Sequence, residues 1–192
     1  MSQVADRFIA VLDANVLYPF GVRDALLRFA EAGLYRARWS ADILDEMVRS
    51  VSRTRPGREA SILSSRAAMT RAFPEAAVDG YEGLIPALDL PDEDDRHVLA
   101  AAIRAGAQLI VTENQRDFPA EALRPYDIET ITADEFLVST LDLYPSQGLA
   151  ALRTMRRDYR NPAMSPGEFL AHLQRNGLVQ LAARVRPNMD EI

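Results

Sequence analysis

The chain has 192 residues, enough for one domain with a sizeable core and a small appendage. Apolar residues make up 48% and charged residues 26%; with no 18-residue apolar run and no basic-then-apolar leader, the expectation is a cytoplasmic, non-exported protein that does not span a membrane. The net charge of −6 and a pI near 5.0 speak against simple non-specific nucleic-acid binding, although acids gathered at a metal site lower both values until the metal binds.

Residue usage narrows the chemistry further. Cysteine is absent, so disulfides and thiolate metal sites are excluded, and two histidines, His97 and His172, are too few for a histidine-rich zinc site. All 22 basic residues are arginine, so no lysine base, Schiff base or P-loop lysine can exist.

In chain order, Phe8 to Leu17 ("FIAVLDANVL") is a short apolar run ending in polar residues, which predicts a buried strand. After a turn at Pro19 and Gly21, "RDALLRFAEAG" has helical spacing and stops at Gly33. A second helix opens at Ser40, a good N-cap, with Ile43, Leu44, Met47, Val48 and Val51 on one stripe. A third helix follows Pro56 and Gly57 and ends before Pro74. A weak strand near Ala76 to Val78, a loop through Pro91, a helix from about Asp94 to Ala105 and the strand "AQLIVT" come next. "DIETI" predicts a further strand and "TADEFLVST" a capped helix. From Tyr144 the pattern changes to short helices separated by Pro and Gly.

Strands alternating with helices, without hairpin signals, predict an α/β fold with a mostly parallel sheet over 1–143 and a helical extension over 144–192. Such sheets bind ligands beyond the carboxyl ends of their strands. That rule directs attention to Asp13 after the first strand and to Thr112 through Asp117 after the later one.

Four consecutive acids, Asp92 to Asp95, precede the Ala-rich helix. At roughly 100° per residue, the stripe of Val98, Leu99, Ala102 and Ile103 centres roughly 10° from Asp95 and roughly 110° from Asp94. Asp95 therefore heads the inward face, where an unpaired carboxylate is expensive, while Asp92 to Asp94 read as caps and helix-dipole partners. An inward Asp95 needs either a metal ion or backbone N–H groups as partner. On the second helix, Asp45 and Glu46 both lie roughly 130° from the stripe centre, and geometry does not choose between them. Asp13 alone is equally compatible with a turn-capping role.

Taken together, "LDANVL", "ILDEMV", "DRHVLAAAI" and "VTENQRDF" resemble the successive motifs of the PIN-domain ribonucleases, over about residues 8 to 137. The chain looks most like the VapC-type toxins of type II toxin–antitoxin systems, in the subgroup with a C-terminal helical extension. The resemblance implies a PIN-like three-layer fold with metal-binding acids at Asp13, Glu46, Asp95 and Asp117, and with Asn15, Thr112 and Asn114 as supporting polar residues. It implies Mg²⁺ or Mn²⁺ as cofactor, RNA as substrate, a cognate antitoxin as partner and a homodimer as the usual assembly. Metal-activated water would then leave 5′-phosphate and 3′-hydroxyl ends.

An acidic site still has to attract RNA. Arg153, Arg156, Arg157 and Arg160 fall at i, i+3, i+4 and i+7, which predicts one basic helix face for RNA or an acidic partner. Arg49, Arg53, Arg55 and Arg58 form a second cluster. Two competing readings stand beside this one. A haloacid-dehalogenase-type phosphatase also places an aspartate after its first strand, but expects a second aspartate where this chain has Asn15. A non-catalytic PIN-like binding module would keep the acids for a structural ion or a partner's arginine.

Overall fold

A computed structural model describes residues 8–192, so residues 1–7 of the expected first domain lie outside the described residues. Five parallel strands form one sheet in the order β3-β2-β1-β4-β5: β1 (Ile9–Leu12), β2 (Arg36–Ser40), β3 (Ala77–Val78), β4 (Leu109–Val111) and β5 (Glu129–Ile131). The apolar central strands β1 (IAVL) and β4 (LIV) suit a sheet with little solvent contact. In register, Leu12 stands opposite Val111, and Val111 opposite Ile131. The chain runs outward from β1 to β3 and then returns to β4 on the other side of β1. That reversal creates a crevice at the carboxyl ends of β1 and β4.

The first strand is shorter than its apolar run. It stops at Leu12, and the remainder, "ANVL", forms the single turn α1 (Ala14–Leu17), because Asp13 accepts from the Ala14 N–H and caps it. The expected turn at Pro19 and Gly21 is instead the start of α2 (Phe20–Glu31), with Pro19 at its N-cap.

The chain packs as two compact units, 8–18 with Arg36–Ile131, and Pro19–Tyr35 with Thr132–Ile192. These units are drawn differently from the 1–143 and 144–192 division, because α2 and α7 (Ala133–Leu143) join the C-terminal helices.

In the first unit, α3 (Ala41–Thr54) is capped by Ser40, whose hydroxyl accepts from the Ile43 N–H, and it buries Ile43, Leu44, Met47 and Val51. Then come α4 (Glu59–Ala72), α5 (Arg96–Ala105) and the short α6 (Ala120–Leu123). Helix α5 lies against β1, β2 and β4, burying Val98 through Ala102, and ends at Gly106 with φ +62°. This left-handed stop releases the chain directly into β4.

In the second unit, α2, α7, α8 (Pro145–Asp158), α9 (Pro166–Arg175) and α10 (Val179–Val185) enclose their own core, including Phe29, Phe136, Leu152, Phe169 and Leu181. Capping boxes at Thr132 with Glu135 and at Ser165 with Glu168 start α7 and α9. Asp134 is buried on α7 and accepts from the Gln180 and Leu181 N–H groups at 2.7 and 2.9 Å, fixing the start of α10. A Cβ on Gly148 would stand 2.6 Å from Leu141 Cδ1, so glycine lets α8 approach α7 closely. No helix among the described residues is long and apolar enough to cross a membrane.

Candidate metal centre

The crevice at β1 and β4 is built by the residues that leave those strands. Asp13 follows Leu12 and is only 3% exposed. One carboxylate oxygen accepts from the Ala14 N–H at 2.6 Å; the other accepts from Asn15 Nδ2 at 2.6 Å and from the Thr112 hydroxyl at 2.7 Å. Asn15 also donates to Thr112 Oγ1 at 2.9 Å and accepts from the Glu113 N–H at 3.0 Å. Thr112, fully buried after β4, accepts in addition from the Asn114 N–H. The residues after the two strands are therefore joined in one network. Asp13 caps a helix and faces the crevice at once. Burial pushes its carboxyl up to about 6 against the opposing pull of Thr112, and the Glu46 charge adds to the rise.

Asp95 is half-buried and is the N-cap residue of α5, yet its side chain makes no cap hydrogen bond. The backbone-capped alternative for this carboxylate is thus not realised. Burial first, and then the carboxylates of Asp13, Asp92, Glu46 and Asp117, together raise it to about 7. Asp117 sits in a short turn after β4, Gln115–Asp117, where Asn114 Nδ2 donates to it and Arg116 lies 3.7 Å away.

Asp92 departs from its expected role as a cap alone. It does accept from the Asp94 N–H at 2.9 Å, but Asp92, Asp95 and Asp117 also each present a carboxylate oxygen, all within 4.8 Å of one another. The segment Glu93–Asp95 is a 3₁₀ turn rather than the first turn of the α-helix. Residues three apart eclipse there, which puts Asp92 and Asp95 on one side. A wheel drawn at 100° per residue misses this; three-residue acid spacing ahead of the helix is the available signal.

Helix α3 separates Asp45 from Glu46. Asp45 is taken by Arg66 of α4, whereas Glu46 lies 3.3 Å from His97 Nε2, and its charge is felt at Asp13 and Asp95. His97 was not legible as a site residue. It is nearly buried, and its Nδ1 has no hydrogen-bond partner among the described residues.

The tail arginines do not form the expected single basic face. Helix α8 ends at Asp158, leaving Arg160 beyond it. Arg153 donates to the Glu191 carbonyl and Arg156 to the Met164 carbonyl at 2.7 Å. Only Arg157 and Arg160 are exposed. In the other basic cluster, Arg55 lies over the Tyr18 ring at 5.2 Å.

The donor set around Asp95 is made of carboxylate oxygens, without thiolate and with imidazole only at the Glu46 side. Hard divalent cations such as Mg²⁺ take such ligands. A cation placed there would relieve the mutual repulsion of the carboxylates around Asp95.

Comparison with known proteins fits this geometry. A family profile for the PIN domain matches residues 10–116, and one for the VapC50 C-terminal domain matches residues 133–187. The curated protein "Putative ribonuclease VapC50" of Mycobacterium tuberculosis is 41% identical over 107 residues, which cover 56% of this chain and 62% of that protein. The chain thus spans less than two thirds of the length of that relative. No solved structure gives a significant match. The PIN-domain profile covers more than half of the chain, with Asp13, Glu46, Asp92 and Asp95 inside it and Asp117 one residue beyond its end, and the protein accordingly belongs to the PIN-domain family.

Proposed function

We propose that this protein is a metal-dependent endoribonuclease acting as the toxin of a toxin–antitoxin pair. The observation that carries this reading is the convergence of acids from four separate stretches of chain, Asp13, Glu46, Asp95 and Asp117, on one crevice where Asp95 is raised by all the others. The relative named as a ribonuclease supports the substrate class.

Asp95 and Asp117, with Asp92 beside them, would hold Mg²⁺ or Mn²⁺, with Asp13 and Glu46 completing the shell or orienting water. When bound, the cation supplies a nucleophilic water at neutral pH and stabilises charge at phosphorus. The chain's own residues prepare that chemistry. Thr112 and Asn15 hold the Asp13 carboxylate in one orientation, and Asn114 does the same for Asp117. His97 fixes Glu46 against α5. Asp45, engaged by Arg66, takes no part. Both oxygens of Asp13 are occupied by donors, which disfavours the phosphatase reading, in which one oxygen must attack phosphorus.

RNA is the substrate, an antitoxin that blocks the crevice is the partner, and a homodimer is the assembly under this reading. The test is purified protein with RNA and Mg²⁺ or Mn²⁺, beside Asp13→Ala and Asp95→Asn. Cleavage leaving 5′-phosphate ends is expected only in the unaltered protein. Cleavage surviving in both variants, or cyclic-phosphate ends, would overturn the mechanism.

A further inference from the structure

The C-terminal unit carries a cleft of about 530 Å³ that the carboxylate centre does not use, lined by Phe20, Tyr159, Arg160, Asn161, Met164 and His172 among others. The volume lies within the roughly 300–1,000 Å³ range of small-ligand pockets. Its walls are held in place. The Tyr159 hydroxyl donates to Asp24 Oδ2 at 2.7 Å, and its ring meets the His172 ring edge-on at 5.2 Å. The His172 ring lies parallel, within 13°, to that of the buried Phe169. The loop from Arg160 to Met164 is pinned by an Arg160–Ala163 bridge and by Arg156 on the Met164 carbonyl. Phe20, at the first residue of α2, is the most open wall: its ring is 6.3 Å from Tyr159 and has the Arg23 guanidinium over it at 5.6 Å, and the residue is 55% exposed.

The charges at the rim are unequal. Asp158 pairs with Arg28 at 2.6 Å, which also serves Asp24 and Glu31. Arg160, on the lip, is exposed and has no acidic partner among the described residues, so its guanidinium is free to meet an anion. The Asn161 carboxamide is likewise exposed and makes no side-chain hydrogen bond among the described residues. A partner's aromatic side chain would use the rings but not the cationic lip. An unpaired nucleotide uses every part: rings for its base, a carboxamide for its base edge and a guanidinium for its phosphate.

We propose that this cleft is a base-stacking subsite for one unpaired nucleotide of RNA. The inference rests on the ribonuclease reading and extends it to a contact away from the carboxylates. The base packs against Phe20 and Tyr159, and Arg160 meets its phosphate.

The test uses the full chain without divalent metal. The four nucleoside 5′-monophosphates, inorganic phosphate and N-acetyltryptophanamide are each titrated while the ring proton signals of the two histidines are followed. Nucleotides are expected to shift His172 saturably and leave His97 unmoved, with no such effect from inorganic phosphate. Phe20→Ala and Arg160→Ala, both at exposed positions, are each expected to weaken binding of a short single-stranded RNA roughly five-fold or more. No saturable nucleotide shift, a shift with N-acetyltryptophanamide alone, or unchanged RNA affinity in both variants would overturn the assignment. Mn²⁺-dependent cleavage is measured in parallel. Cleavage that persists while Phe20→Ala and Arg160→Ala leave RNA affinity unchanged removes the cleft and keeps the ribonuclease reading. Absent cleavage with a saturable His172 shift removes the ribonuclease reading and keeps a nucleotide site.

Discussion

The Thr112 hydroxyl donates to Asp13 Oδ2 at 2.7 Å, tying the residue after β4 to the residue after β1 across 99 positions of sequence. Thr112 also accepts from Asn15 and from the Asn114 backbone, so removing the hydroxyl leaves three groups short of a partner. Thr112→Val keeps the shape and deletes the donor. Hydrogen bonds to a charged group contribute roughly 1.5–3 kcal/mol. The loss lifts Asp13 further above its ordinary range, and Mn²⁺ binding should shift its half-saturation pH upward, with Thr112→Ser restoring it. Calorimetric Mn²⁺ titrations at several pH values check this; identical pH midpoints for the unaltered protein and Thr112→Val would refute it.

Stability of the metal-free protein should fall as pH rises from about 4 to about 7. Asp13 and Asp95 start from 3.8 and are raised to about 6 and about 7, so across that window the folded chain holds protons that the unfolded chain has released. The stabilisation is full below the unfolded values and is lost as pH passes the folded ones. For buried Asp13 the rise from 3.8 to about 6 corresponds to roughly 3 kcal/mol. Asp95, half-exposed and screened, adds less than its shift alone suggests. Saturating Mg²⁺ or Mn²⁺ should restore stability at pH 7 and above while releasing protons. Urea melts across this range, with and without metal, make the comparison; metal-free stability that is flat or rising from pH 4 to 7 would contradict it.

The same repulsion gives Asp95→Asn opposite effects in the two states of the protein. Without metal, the neutral amide relieves the pressure from Asp13, Asp92, Glu46 and Asp117. The Tm should rise, by roughly 2–4 °C for each kcal/mol recovered in a chain of this size. With metal, the variant should gain little further stability, whereas the unaltered protein gains much. Scanning calorimetry in chelator and in Mn²⁺ separates the two. A lower metal-free Tm for the variant would show that Asp95 is a structural cap and not a repelled ligand.

How far the site was readable depends on what each residue's position obeys. Asp13 and Thr112 follow from a rule of topology: strands end, and ligands gather beyond them. Ser40 and Thr132 follow from capping chemistry that is local in sequence. Asp92 is the cap its position predicts, but its place beside Asp95 and Asp117 is not legible, because the turn before α5 has three residues per turn and periodicity alone does not reveal where a helix changes pitch. The choice between Asp45 and Glu46 depended on Arg66, a residue on another helix that no wheel of α3 includes. The arginine stripe failed for a related reason. Where α8 stops, and which backbone carbonyls lie beside it, are tertiary facts.

That separation of Asp45 from Glu46 is itself measurable. Asp45→Ala removes an ion pair at a partly exposed position, which costs about 1 kcal/mol or less and should leave cleavage intact. Glu46→Gln keeps the size and removes the charge facing His97, and should lower kcat at least ten-fold while also lowering Asp95's proton affinity. Single-turnover kinetics on both variants checks the split. Equal losses in kcat would mean that Glu46 has no role distinct from its neighbour.

The tail arginines should divide along the same line between structure and surface. Arg156→Ala leaves the Met164 carbonyl without its 2.7 Å donor and is expected to cost about 1 kcal/mol of stability with RNA affinity unchanged. Arg157→Ala touches an exposed side chain and should leave the Tm unmoved. If Arg157 meets a phosphate, its loss lowers the slope of log K against log salt by roughly 0.7, the value for one contact on a single strand. Anisotropy titrations of labelled RNA at four salt concentrations, in chelator, read that slope directly. A slope unchanged in Arg157→Ala but reduced in Arg156→Ala would reverse the assignment, placing RNA on the buried side of the stripe where the helix has already committed its donors.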